Sequence, residues 1–344
     1  MDLIQSYSED LKLIRKSWTK VWVWGSVGLL LLLPLYCADA TIYMVTMVFM
    51  WTVGILGQNL LIGYTGQISF GQAGFLCIGA FAFGHLTRLG LPWPLALLGA
   101  GAGAGIFGIL VGFPALRLKG PYLAVATLGF GVAVYQVFVN TPVLSGGRMG
   151  LMIEKLPGLW RLSQEQVYFY VYFIVALTFT LLTYNIVSSY MGRAFIAIRD
   201  NDIAAEVLGV NLAHYKLLSF AISSFYVGVQ GGLLAFLLGF LEPNMFTFLV
   251  TIDFLVAVVV GGLSMVEGAI FGAAFVVLIP QLFSEEIRLF SGTLWGKFMT
   301  LSLGNEAVPL VFGLAIILVM IFEPLGLAGQ WLKIRLYFRN WPLR

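Results

Sequence analysis

Long apolar runs separated by short polar stretches dominate the pattern of this chain. Runs long enough to cross the ~30 Å of a bilayer's hydrocarbon occupy residues 21–36, 42–62, 68–86, 93–113, 122–139, 167–187 and 217–238, and shorter ones follow at 248–262, 269–283 and 308–322. The pattern predicts an all-α polytopic membrane protein of about ten transmembrane or partly re-entrant helices, with the segments near 66–84 and 248–283 open to either course. Residues 1–20 then form an N-terminal segment, 21–330 the transmembrane domain and 331–344 a basic tail. Lys12, Arg15, Lys16 and Lys20 precede an apolar run ending near Ala38–Ala40, which imitates a secretory leader. Acids among those bases, and a second apolar run directly behind, favour a first span.

Charge adds an orientation. Only 10% of residues are charged against 60% hydrophobic, a balance that belongs in lipid. With the N-terminus inside, thirteen of the 19 lysines and arginines fall in cytoplasmic segments, as the positive-inside bias requires. Both termini are then expected in the cytoplasm. The basic residues are scattered between spans, so no nucleic-acid surface is implied. Cys37 and Cys77 have neither disulfide nor metal spacing.

Two spans are unusually rich in glycine, "GYTGQISFGQAGFLCIGAFAFG" (63–84) and "VVVGGLSMVEGAIFGAAF" (258–275). Such glycines let helices pack closely. They equally suit broken helices whose freed backbone lines a cavity. Asn59, Tyr64, Gln67, Ser69 and Gln72 in or beside the first stretch, and Ser264 and Glu267 in the second, are candidates for a translocation path.

Nucleotide and enzymatic motifs fail on inspection. "GAGIFG" (103–108) lies inside an apolar span, where Gly101, Gly105, Gly108 and Gly112 recur at helical spacing and predict a close helix contact. "GTLWGKF" (292–298) has three residues between its glycines where a phosphate loop needs four, and Phe298 stands where Ser or Thr would hold Mg²⁺. His85 and His214 lack partners for metal or nucleophilic chemistry. The sequence therefore points to no enzyme and to no cofactor or metal held by this chain.

Against this apolar background "MGRAFIAIRDNDIAAEVLGVNLAHYK" (191–216) gathers Arg193, Arg199, Asp200, Asp202 and Glu206. Asp200, Asn201 or Asp202 can cap a short helix, acids suit its first turns and Gly209 suits its end. Ile203, Val207 and Leu208 form an apolar stripe beside the small Ala204 and Ala205. Such a helix can lie on a membrane or fit a groove of a soluble partner.

This window resembles the cytoplasmic loop, with its EAA-type variant, of permease subunits in bacterial ABC importers for branched-chain amino acids. The resemblance continues through "GQNLLIGYTGQISFGQAGFLCIGA", "LRLKGPYLAVATLGFG", "SGGRMGL", "VVVGGLSMVEGAIFGA" and "FEPLGLAG". It covers nearly the whole chain and is nearest the M-type permease, with Ser145 where threonine is more usual. The resemblance implies a path formed with a second, H-type permease, two ATP-binding subunits below that bind ATP and Mg, and a periplasmic solute-binding protein. It makes Arg193, Arg199, Asp200, Asp202, Ala204, Ala205, Glu206 and Gly209 the coupling site toward the ATPases. Arg148, Glu154, Lys155 and Arg161, in the loop Thr141–Gln166, are the candidates for docking the binding protein. Related importers carry urea, short amides or aromatic acids. A secondary transporter or channel would share the composition, but only Asp253 and Glu267 offer intramembrane ionisable groups, and both are expected near span ends.

Overall fold

The computed structural model describes residues 25–340 except 26–27, 29, 119, 148–149, 155–162, 291–312, 315, 318, 320 and 323–325. Helix α1 spans Asp39–Asn59 and continues as a π-helical turn, Leu60–Tyr64; α2 spans Gln72–Arg88, α3 Trp93–Ala115, α4 Pro121–Asn140 and α5 Gln164–Ser188. Then come α6 (Tyr190–Asp200), α7 (Asp202–Val207), α8 (Leu212–Leu238), α9 (Phe248–Gly261), α10 (Val266–Phe290) and α11 (Gly326–Asn340). Among the described residues six helices are long and apolar enough to cross a membrane: Asp39–Tyr64, Trp93–Pro114, Pro121–Asn140, Gln164–Ser188, Leu212–Leu238 and Pro243–Gly261. The protein is thus a predominantly helical, polytopic bundle.

Helix ends fall where local chemistry puts them. Ser163 and Gln166 form a reciprocal capping box at the start of α5, Asn211 caps α8 through the His214 amide, and Gly239 ends α8 in the left-handed conformation. Helix α8 is the hub, packed on α1, α2 and α3, while α1 also carries α5 and α10, and α9 pairs with α10.

Small residues make the closest contacts. A Cβ at Gly101 would meet Phe225 and Val229 on α8, and one at Gly112 would meet Leu217 at 2.9 Å, so the glycine stripe of α3 is a helix contact as its spacing predicts. A Cβ on Gly79 of α2 would strike the backbone of Gly228 on α8, whose own Cβ would lie 2.8 Å from the Ala100 carbonyl of α3. Gly79→Ala is expected to cost about 1–3 kcal/mol by overpacking, read as a lower unfolding midpoint in detergent. Gly129→Ala on α4, with open space around its Cβ, should be neutral or slightly stabilising.

Three features depart from the sequence expectation. The span predicted at 68–86 begins only at Gln72, because residues 65–71 are not helical. Their polar groups are met by side chains instead: the Phe70 amide donates to Thr127 Oγ1 at 2.9 Å and the Ser69 carbonyl accepts from Gln58 Nε2 at 3.2 Å. Asp253, expected near a span end, lies well inside the apolar helix Pro243–Gly261. At the other end of the chain, α11 runs through the boundary placed at residue 330 and rests Trp331 against Phe271 of α10.

Candidate functional site

The charged window folds as two helices meeting at Asn201. Ser189 starts α6, its hydroxyl accepting the Met191 amide at 3.2 Å, and Asn201 starts α7, its Oδ1 accepting the Ala204 amide at 3.0 Å. Gly209, at φ +86°, closes α7. The Gly209 amide donates to Glu206 O at 2.9 Å and the Val210 amide to Ala205 O at 3.0 Å, a Schellman closure for which a left-handed glycine is the favoured residue. Lys216 of α8 pairs with Asp202 at 3.5 Å, fixing the short helix against the start of the hub helix.

Within α7 the side chains divide sharply. Ala205 is buried against the bundle, whereas Ile203, Val207 and Leu208 are 68%, 83% and 82% exposed. Ala204 and Glu206 are also exposed. A groove of about 530 Å³ beside them is lined by Leu116, Glu206, Asn211 and Lys216 among others. Apolar side chains standing this far out, next to a groove with charged walls, make a surface suited to a protein partner. Arg193 turns away from it, its guanidinium 5.8 Å from the Tyr190 ring centroid.

The two glycine-rich stretches are broken helices, and their breaks meet. The first lies where the π-turn ends, with Gly66 at φ +70°; the second lies between α9 and α10, with Gly262 at φ +124° and Ser264 at φ +60°. Asn59 spans both: its Oδ1 accepts the Ser264 amide at 3.0 Å and its Nδ2 donates to the Met265 carbonyl at 2.7 Å. Behind the breaks Gln67 Nε2 donates to Ser219 Oγ at 2.7 Å, and Gln72 Nε2 donates to Gln58 Oε1. Asn59, Tyr64, Gln67, Ser69 and Gln72 are buried inside this chain's own bundle, while Glu267 is exposed and Ser264 half-buried. In this conformation Asn59, Gln67, Ser69 and Gln72 take part in the hydrogen bonds at and behind the breaks. Gln58 and Ser219, which complete this network, were not singled out in the sequence; polar residues inside apolar runs were their only signal.

At the far end of α8, some 40 Å away for a helix of 27 residues, the described residues of the "SGGRMG" segment are rich in left-handed glycine. Gly146, Gly147 and Gly150 all have positive φ, and Leu151 pairs with Leu241 in a two-residue antiparallel ladder. The Ser145 hydroxyl, buried here, accepts the Gly147 amide at 3.3 Å. Glu154 is exposed beside it. Arg148, Lys155 and Arg161 lie outside the described residues.

Comparison with known proteins defines the class. Residues 40–322 match the family described as branched-chain amino acid transport system / permease component, and the chain belongs to that family. It is 30% identical to the high-affinity branched-chain amino acid transport system permease protein LivM of Escherichia coli (strain K12), over 86% of this chain and 71% of that protein. It is 27% identical to the fructose import permease protein FrcC of Rhizobium meliloti, over 69% and 68% of the two chains. A probable branched-chain amino acid transport permease protein, LivH of Methanocaldococcus jannaschii, is 23% identical over 81% and 89%. No solved structure matches.

Proposed function

We propose that this chain is the M-type permease subunit of an ATP-driven importer in a bacterial inner membrane. It forms half of a path for branched-chain or related amino acids, beside an H-type permease. Two ATP-binding subunits below bind ATP and Mg and perform the hydrolysis, with α7 as the coupling helix. A periplasmic binding protein delivers solute to the opposite face, where the loop holding Arg148, Glu154, Lys155 and Arg161 docks it. The chain crosses the membrane about ten times with both termini in the cytoplasm. The observation that carries this reading is the capped α7, which lifts an apolar ridge clear of the bundle at the end away from the "SGGRMG" loop.

Solute selection is assigned to the binding protein. Relatives named for branched-chain amino acids and for fructose both match most of this chain, which supports a permissive path. Copurifying the complex with its binding protein, and identifying the retained solute by mass spectrometry, tests the assignment. A branched-chain or related amino acid is expected; a sugar, urea, an amide or an aromatic acid would replace it as the substrate class.

A further inference from the structure

Arg199, last but one in α6, sits two residues before the Asn201 cap of α7. Its side chain is exposed along part of its length, and its guanidinium reaches the helix breaks. Nη1 donates to Ser264 Oγ at 2.7 Å and to the Gly63 carbonyl at 3.3 Å, while the guanidinium also pairs with Asp200 at 2.9 Å. Ser264 Oγ in turn donates to the same Gly63 carbonyl at 2.7 Å.

That carbonyl is available because the helix stops there. The amide that would reach it in a continued helix belongs to Gln67, which instead donates to Leu61 O at 3.0 Å. A helix C-terminus leaves such carbonyls to be satisfied from outside, and a cationic donor serves them well. Ser264, at φ +60°, is the non-glycine residue with positive φ among those described, a conformation that persists only where neighbours hold it. Its neighbours are Arg199, Gly63 and Asn59. Backbone contact adds to the side-chain bonds: a Cβ on Gly66 would lie 3.1 Å from Arg199 Cγ and 3.6 Å from its Cα, so the first break rests on the arginine itself. Below the turn opens a cavity of about 430 Å³ lined by Thr65, Gln67, Asp200, Asp202 and Lys216, which leaves it space to move.

We infer that Arg199 is the positioning residue that carries displacement of α7 to both helix breaks at once, opening or closing the inner end of the path. Its place two residues before the Asn201 cap of α7 on one side, and a shared anchor on Gly63 and Ser264 on the other, give it a single mechanical role. The inference rests on the reading of α7 as the coupling helix, and the experiment separates the two. The complete importer, with its binding protein and an amino acid that protein retains, is reconstituted in liposomes carrying Arg199→Ala, Arg199→Lys or Ser264→Ala. Solute moved per ATP hydrolysed is the readout. Labelling of Ile68→Cys, at an exposed position beside the first break, is compared between resting and ATP-trapped states.

Arg199→Ala is expected to lower the transport-to-hydrolysis ratio about tenfold, a common size for coupling between sites, and to abolish the state dependence of labelling. Ser264→Ala should give a smaller loss. Arg199→Lys, which keeps a cationic donor, should recover most of the ratio. An unchanged ratio with state-dependent labelling overturns the inference, and so does failure of Arg199→Ala to assemble with the ATPases, which would make Arg199 part of the docking surface. Val207→Asp in the same liposomes reports on α7 separately: if it weakens ATPase association while Arg199→Ala does nothing, only the inference falls. Should neither have an effect, the coupling assignment falls with it.

Discussion

Replacing Val207 and Leu208 together by aspartate is expected to detach the ATP-binding subunits while leaving the permease folded and inserted. Both side chains are more than four-fifths exposed in the isolated chain, so nothing within this bundle depends on them. An apolar ridge of this kind contributes to an interface by filling a partner's groove, where truncation of a central contact costs about 2 kcal/mol or more, roughly thirtyfold in affinity. Charging it adds desolvation of carboxylates. Affinity capture of the ATPase by the purified permease pair reads the effect directly. Glu206→Gln, at the exposed edge of the same helix, should change it far less, since exposed charges contribute little singly.

Asn59→Leu should be the most damaging single change inside the bundle. The side chain serves the Ser264 amide and the Met265 carbonyl together, and the leucine would leave both part-buried polar groups without that partner. Each orphaned group costs about 1–3 kcal/mol, and the strained Ser264 conformation loses one of its supports. A fall in folded yield and in thermal midpoint in detergent is expected, larger than that of Gly79→Ala. Thr178→Val, which removes an exposed hydroxyl bonded to Ile174 O in α5, should leave both unchanged.

What the sequence disclosed follows the range of the interactions involved. The closing glycine of α7 is fixed by residues within a turn or two, and the glycine stripe 101–112 repeats at helical spacing, so spacing alone revealed both, though not that the stripe's partner is α8. Asn201 was one of three capping candidates; the choice among them needed the chain's bend after Asp200. The break at 65–71 was harder to see, because its backbone is satisfied by Gln58 and Thr127 from other segments, and its apolar content resembles a continuing span. Arg199 was legible as a charge in the polar window but not as a donor to the breaks: its acceptors lie 136 and 65 residues away in sequence. Burial of Ser69 and Gln72 likewise reflects how α1, α2 and α8 pack around the breaks, which periodicity does not encode.

Contact between α7 and an ATP-binding subunit is open to a crosslinking measurement with a photoreactive amino acid placed at Val207 in native membranes. Illumination is expected to join this chain to the ATPase in high yield, whereas the same probe at Glu154, at the opposite end of the bundle, should join it to the binding protein or to nothing. A crosslink from Glu154 to the ATPase, or lipid as the sole adduct at Val207, would contradict the account.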